Sequence, residues 1–387
     1  MERKLILPRQ NWQKIVESQG MHYHTPKGVT YWDESVYYEF SRSEIDAIEK
    51  ATYELDRMCL EAVQHVIDND MWAEFAIPPG AVDFIVWSWE NDEHSIYGRF
   101  DLVVDGDKPP KMLEYNADTP TALLEAAVIQ WHWMKDNEGE LRYRVDQFNS
   151  IHERLIEVWD SVLRKYPDSA LHFTAVKDNT EDLMTSNYLR DTAIQGGWLN
   201  TKYIDMEDLR WDHANRVFVD AEAKPITMCF KLYPWEWMFD DVSNPECVFG
   251  PDVRLDRTMW FEPAWKTLLS NKAILAVLWK LFPNHPNLLR AEFAPFGSSY
   301  AKKPILSREG SNITLVLNDQ IVAETTGEYR YSRVVYQDLA LLPDFDGNFP
   351  VIGSWMVGGY ACGIGIREDR VLVTGNTSRF VPHLFVK

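Results

Sequence analysis

Two short segments with the same polar spacing constrain this chain most. Tyr97-Gly98-Arg99-Phe100-Asp101 is followed by Leu113-Glu114-Tyr115-Asn116-Ala117-Asp118-Thr119-Pro120-Thr121. In a strand, residues two apart face the same side. Arg99 and Asp101 therefore share a face, and so do Glu114 and Asn116. Pairing across the turn Asp105-Gly106-Asp107-Lys108-Pro109-Pro110 puts all four on one face. Three of them offer hard oxygen ligands, which Mg²⁺ takes alongside substrate phosphates. The fourth is a guanidinium that can grip a phosphate or carboxylate with two donors. A solvated surface hairpin is the plain alternative. It fits poorly with the apolar opposite register (Phe100, Leu102, Leu113, Tyr115) and with Pro120 opening an apolar stretch. A buried carboxylate pair needs a cation. The pattern reads as the polar half of a nucleoside-triphosphate site.

Composition sets the frame for that site. The chain has 387 residues, 45% of them hydrophobic, enough for a large core in two or three subdomains. Its 16 Trp read as core and interface packing. A net charge of −20 argues against nucleic-acid binding, which needs a basic surface, and favours a cationic substrate such as a polyamine. Cys59, Cys229, Cys247 and Cys362 form no C-x-x-C and have no His at zinc spacing, so they read as free thiols of a reducing compartment. Met1-Glu2-Arg3-Lys4 opens no signal-peptide core, and no run reaches about 18 apolar residues. The expectation is a cytoplasmic protein with no membrane partner.

Hydrophobic periodicity predicts helices over Ser43–Asp70, Thr121–Trp133, Asp146–Tyr166, Glu181–Gln195 and Leu268–Phe282, the last containing Asn271-Lys272. Asp83–Glu90 reads as helical or mixed. Strands are predicted at Arg99–Val104, Lys111–Tyr115, Ala170–Val176, Thr201–Ile204 and Met228–Leu232. A strand-rich remainder follows: Ala301–Ile305, Ser311–Leu317, Gln320–Glu324, Ser332–Gln337, Val351–Val357, Ala361–Arg367 and Val371–Thr374. The class is α+β, with a small α/β layer at about 168–232 and a mixed antiparallel sheet towards the C-terminus.

A second phosphate-binding half sits late in the chain. In Lys302-Lys303-Pro304-Ile305-Leu306-Ser307-Arg308-Glu309-Gly310 a strand-end lysine precedes a polar glycine turn. Such a lysine and the turn's N–H groups can hold phosphate oxygens, although a plain hairpin has the same pattern. No Gly-x-x-x-x-Gly-Lys-Ser/Thr loop and no protein-kinase signature occurs. Arg367 ends an apolar strand before the acidic turn Glu368-Asp369, where it could stabilise developing phosphoryl charge. His22, His24 and His285 read as packing or turn residues.

Together these residues resemble the synthetase part of the glutathionylspermidine synthase family, with stand-alone bacterial acid–amine ligases the nearest kind. The resemblance covers nearly the whole chain. Further carriers are Phe230-Lys231-Leu232-Tyr233-Pro234-Trp235-Glu236, Glu262-Pro263-Ala264-Trp265-Lys266, Ser270-Asn271-Lys272, Phe282-Pro283-Asn284-His285-Pro286-Asn287, Arg308-Glu309-Gly310 and Gly365-Ile366-Arg367-Glu368-Asp369. The resemblance implies an ATP-grasp fold in a permuted order, with metal ligands early and ATP-gripping lysines late. It implies a single catalytic unit over 1–387, an ATP lid at about 272–336, and no amidase domain.

By the same resemblance Asp101, Glu114 and Asn116 would hold Mg²⁺. Arg99, Phe100, Asp101, Lys272, Lys303, Gly310, Gln337-Asp338-Leu339-Ala340 and Leu372-Val373-Thr374 would bind ATP. Arg367 and Arg99 would be catalytic, and Thr119 would touch substrate. The implied reaction joins a peptide carboxylate to an amine through an acyl phosphate, releasing ADP and phosphate. Phosphoryl transfer relies on positioning and charge neutralisation more than on a nucleophilic side chain. The departures are Leu232 for a hydroxyl residue, Thr119 for serine and Val351 for a polar residue. They put glutathione itself in question and leave the ATP half intact. A non-catalytic ATP- or peptide-binding regulator is the other reading.

Overall fold

The computed structural model describes residues 1–141, 144–212, 214–240, 258–329 and 332–386. Cys247 lies outside the described residues; Cys59, Cys229 and Cys362 are buried. Among the described residues no helix is long and apolar enough to cross a membrane.

The site hairpin belongs to a five-stranded antiparallel sheet. Its order is Arg379–Val381, Tyr360–Asp369, Phe349–Val357, Tyr97–Val103 and Lys111–Asn116. Residues from the first third of the chain thus pair with the last forty, Arg99 with Trp355 and Asp101 with Gly353. One face of this sheet is covered by the long helix Arg42–Asp68. That helix forms because Ile45, Ile48, Leu55, Met58, Cys59 and Val66 fall on one side, and all are buried. Ser41 and Glu44 close its N-terminus with a reciprocal capping box, worth about 1 kcal/mol.

Two further sheets flank the site. A parallel sheet runs Met259–Phe261, Met228–Leu232, Leu171–Ala175, Thr201–Asp205, with the helix Thr180–Gln195 packed on it. Near-continuous burial of Leu171–Ala175 and Met228–Leu232 is what a parallel strand covered on both faces requires. The other sheet is antiparallel, in the order Ala291–Glu292, Val334–Asp338, Tyr300–Pro304, Thr314–Leu317, Gln320–Glu324.

Several elements differ from the sequence reading. The helix expected over Leu268–Phe282 is broken into Thr267–Ser270 and Ile274–Leu281. Asn271 takes an extended backbone (ψ 124°) and its Oδ1 accepts from the Ala273 N–H at 3.0 Å, so the asparagine competes with the helix and restarts it. The helix expected from Thr121 begins later, with a wide π turn at Glu125–Ile129 followed by Gln130–Asp136. Ala122 has φ +64° and cannot be helical there. The helix expected from Asp146 starts at Ile151, because Asp146 pairs with Phe385. Val371–Thr374 is a loop, not a strand; the Arg367 guanidinium donates to the Gly375 carbonyl, and Ser378 Oγ links Gly375 to Asp369.

Candidate active site

The hairpin register places Asp101 opposite Glu114 and Arg99 opposite Asn116, so the four polar side chains share one face as their spacing predicts. A bulge falls after Asp101, and Leu102 pairs with Met112. Bulges re-aim side chains beside functional sites. Here Leu113 is the extra residue, and its carbonyl accepts from Lys303 Nζ at 3.0 Å while the Met112 carbonyl accepts from Gln337 Nε2 at 3.0 Å. The sheet carrying Lys303 and Gln337 is thus keyed to the bulge.

The charges interlock. Arg99 donates to both Asp101 oxygens, at 2.7 and 3.1 Å, and to the Thr121 carbonyl at 2.7 Å. Asn116 Nδ2 donates to Asp101 at 3.0 Å. Lys272 Nζ lies 2.9 Å from Glu114 and donates to the Ser307 carbonyl at 2.6 Å. Burial would raise the Glu114 carboxyl, but Lys272, Lys303 and Arg99 hold it well below the usual carboxylate range. Burial pushes the Lys303 ammonium down to about 8, partly opposed by Glu114.

Two adjoining cavities open on this face. The larger is lined by Asp101, Glu114, Lys272, Lys303, Gly310, Gln337-Asp338-Leu339-Ala340 and Leu372-Val373-Thr374, with apolar walls that include Ile313, Leu315, Leu342 and Val351. The smaller holds Arg99, Asp101 and Arg367 between Trp355, Phe380, Ala122 and four small or branched residues. Asp101, Val351 and Thr374 belong to both. Most residues assigned from sequence to a nucleotide therefore line one cavity, and both assigned arginines line the next.

Four of the residues singled out in the sequence line neither cavity: Asn116, whose amide bonds Asp101, and Phe100, Thr119 and Leu232. The Phe100 side chain is buried on the opposite face, stacked on Tyr115 with centroids 3.8 Å apart, so it does not line the larger cavity. Thr119 is not among the lining residues of these two cavities; its hydroxyl accepts from Arg308 Nη1 at 2.8 Å, and Arg308 also pairs with Glu236 at 2.7 Å. Leu232 is buried in the core beside Phe230, so its apolar side chain serves packing and reaches neither cavity. His24 bonds Thr25 and Glu17, and His285 accepts from the Asn287 N–H, in keeping with packing and turn roles.

The sequence reading missed an acidic group around Arg367. Glu125 and Asp182 are each pushed up to about 7, first by burial and then by neighbouring carboxylates, Glu181 in both cases and Glu309 for Asp182. Tyr31 donates to Glu125 at 2.9 Å, and Arg367 and Arg308 counter part of this charge. These residues come from three segments, Glu125, Glu181-Asp182 and Glu309, with no shared motif, so no local signal marks the group. Among the described residues no group of three or more His, Cys, Asp or Glu is placed to hold a metal. Two facing carboxylates with an amide beside them are still suitable hard donors where phosphates complete the shell.

Gly310 lines the larger cavity and packs against Thr374, which lines both. It has φ +69°, and an added Cβ would meet the Thr374 carbonyl oxygen at 2.5 Å and Val373 at 2.8 Å. Gly310→Ala is therefore expected to keep the loop off Thr374. Hydrogen exchange over Tyr300–Glu324 should slow when wild type binds a non-hydrolysable ATP analogue and should slow much less in the variant. Equal protection with and without nucleotide in wild type would remove the idea of a closing lid.

Comparison with known proteins agrees with this geometry. Residues 3–386 match the family described as glutathionylspermidine synthase preATP-grasp. A Haemophilus influenzae protein provisionally named an acid–amine ligase is 44% identical over 379 residues, 94% of each chain. The bifunctional glutathionylspermidine synthetase/amidase of Escherichia coli is 31% identical over 375 residues, 91% of this chain and 59% of that one. Trypanothione synthetase of Crithidia fasciculata is 31% identical over 348 residues, 83% of this chain and 52% of its own. The chain spans a little over half the length of these last two. A glutathione synthetase-like effector of Globodera pallida, solved in its apo form, superposes with a TM-score of 0.55 at 10% identity over 98% of both chains, a likeness of fold alone. The fold is α+β and ATP-grasp. With the family match running the length of the chain, this protein belongs to the glutathionylspermidine synthase family.

Proposed function

We propose that the protein is an ATP- and Mg²⁺-dependent acid–amine ligase that activates a peptide carboxylate as an acyl phosphate and passes it to a cationic amine. The observation that carries this reading is the pair of adjoining cavities sharing Asp101. One has the lysines and apolar walls suited to a nucleotide; the other has two arginines suited to a carboxylate and a transferring phosphoryl group. The relatives named as glutathionylspermidine and trypanothione synthetases favour peptide and polyamine substrates.

In this reading Lys272 and Lys303 hold the phosphates. Gln337–Ala340 and Leu372–Thr374 flank the base, and closure of the Gly310 loop excludes water from the acyl phosphate. Asp101, Glu114 and Asn116 would hold Mg²⁺, which when bound neutralises phosphate charge. Arg99 and Arg367 orient the acid carboxylate in line with the γ-phosphate. Attack by a carboxylate oxygen forms the new P–O bond as the bond to ADP breaks. The amine nitrogen then attacks the acyl carbon, and phosphate leaves as the amide forms. ADP release that requires both an acid and an amine, measured over a panel of short peptides and polyamines, tests the reading. ATP binding with no turnover under any pair would instead favour a non-catalytic regulator.

The acidic group formed by Glu125, Glu181, Asp182 and Glu309 favours a cationic amine, because Glu181 raises the carboxyls of the other three and Arg367 and Arg308 offset only part of that. Glu125 and Asp182 bind protons below about pH 7 and are anionic above it. The kcat/KM for amine should therefore rise as pH climbs towards 7. Glu181→Gln, which removes a neighbour common to both, should move that limb to lower pH. A limb that stays in place in the variant would remove this assignment.

A further inference from the structure

Arg99 owes its position to more than its own strand. Its stem lies across Gly353, where an added Cβ would meet Arg99 Cδ at 2.7 Å, and its guanidinium spans Asp101 and the Thr121 carbonyl. That carbonyl is aimed by an unusual piece of backbone. Ala122, the next residue, is buried with φ +64°, a conformation that costs a non-glycine residue of order 1–3 kcal/mol and persists only where the surroundings over-determine it.

The surroundings do over-determine it. The Ala117 and Asp118 N–H groups both donate to Ser270 Oγ, at 3.1 and 2.8 Å. Tyr97 Oη donates to the Pro120 carbonyl at 3.1 Å. Between these lies a wholly buried ion pair. Lys231 Nζ is 2.6 Å from Asp118 Oδ1, with both side chains at 0% exposure. Asp118 Oδ2 also accepts from the Trp235 N–H at 2.9 Å, and Lys231 donates to the Tyr233 carbonyl and sits 4.3 Å from the Trp235 ring centroid.

Both side chains are fully buried, so the pair forms at the expense of the hydration of both charges. A pair of that kind is a poor source of stability, since apolar residues of similar volume commonly serve as well. What it does supply is a fixed point. It fastens the segment after the hairpin to the strand Met228–Leu232 of the parallel sheet.

We propose that Lys231 and Asp118 are positioning residues for Arg99: their buried pair holds the Asp118–Ala122 segment so that the Thr121 carbonyl fixes the guanidinium at the transfer site. The consequence for turnover rests on the ligase reading given above. The consequence for Arg99 does not.

The test uses the full chain with ¹⁵N-labelled arginine, with the Arg99 Nε–H signal assigned by its loss in Arg99→Lys. In wild type that signal should report an ordered, slowly exchanging group. In Asp118→Asn, which keeps an acceptor for the Trp235 N–H, it should become mobile and exchange at least tenfold faster. The double variant Lys231→Met/Asp118→Asn removes both charges together and leaves neither unpaired. It should keep a cooperative unfolding transition and still show the mobile signal, and it decides the matter should the single variant not fold. In both variants kcat for amine-dependent ADP release should fall about tenfold or more while KM for ATP stays within about twofold. A purely structural pair would leave the Arg99 signal and kcat per folded molecule at wild-type values in the double variant, and that result would overturn the proposal. A wild type with an ordered Arg99 signal but no amine-dependent ADP release would sink the ligase reading and leave the positioning claim to be judged on the signal alone.

Discussion

Replacing Glu114 with glutamine is expected to lower amine-dependent ADP release by at least about 100-fold while leaving the fold in place; loss of one well-placed electrostatic group at a transfer site is typically worth about 10²–10³ in kcat. Glutamine has nearly the same volume and keeps an acceptor for Lys272, which retains its bond to the Ser307 carbonyl. What disappears is one of two facing carboxylates, and with it half of the anionic charge available to a divalent cation. Unfolding temperature should fall modestly, because the charge that Lys272, Lys303 and Arg99 keep ionised is lost while the lysines stay buried. ADP production within about threefold of wild type at moderate Mg²⁺ would remove Glu114 from the metal site.

Arg367→Lys should cost still more in kcat, about 10³-fold, with KM for ATP within about threefold. Arginines that meet a transferring phosphoryl group supply about 10³–10⁵ in rate, and a lysine cannot reproduce their planar donor set. The buried Nε of Arg367 has no hydrogen-bond partner among the described residues, although the same guanidinium donates to the Gly375 carbonyl. A buried donor left unmade costs about 1–3 kcal/mol, which a substrate oxygen in the smaller cavity would recover. Single-turnover measurement of the ATP cleavage step separates this from slow product release. An unchanged cleavage rate would place Arg367 outside the chemistry.

How much of this was readable from the residues depends on the range of the interactions. The hairpin was legible because period-two alternation is local, and the register Asp101 opposite Glu114 follows from it. The cavity lining from Gln337 to Ala340 and from Leu372 to Thr374 was reached through family resemblance, since nothing in their own chemistry marks them. The break at Asn271 was hidden by an apolar helical pattern on both sides; a side-chain bond two residues long decided it. The left-handed Ala122 carries no glycine or asparagine signal, because the strain is met by partners up to 153 residues away in sequence. The fourth parallel strand, Met259–Phe261, is too short to show a period. Arg308 on Thr119 and Glu236 joins three distant segments and has no local trace.

The four-stranded sheet at the chain ends has a consequence for synthesis. Glu2–Leu5 pairs with Val36–Phe40, and Tyr38 to Phe40 pair in parallel with His383 to Phe385. Arg3 and Tyr38 also bond Glu368, the residue next to Arg367. On a ribosome adding about 5–20 residues per second, Val36–Phe40 would wait roughly 17–70 s for its partner strand to be made. During that time an edge strand with mostly buried side chains is exposed, and such edges template aggregation. Yield of soluble protein should therefore respond to translation rate and to chaperone supply more than the stability of the finished fold would suggest. No nascent chain can seat Glu368, the neighbour of Arg367, on Arg3 until the two, 365 residues apart, have both been translated.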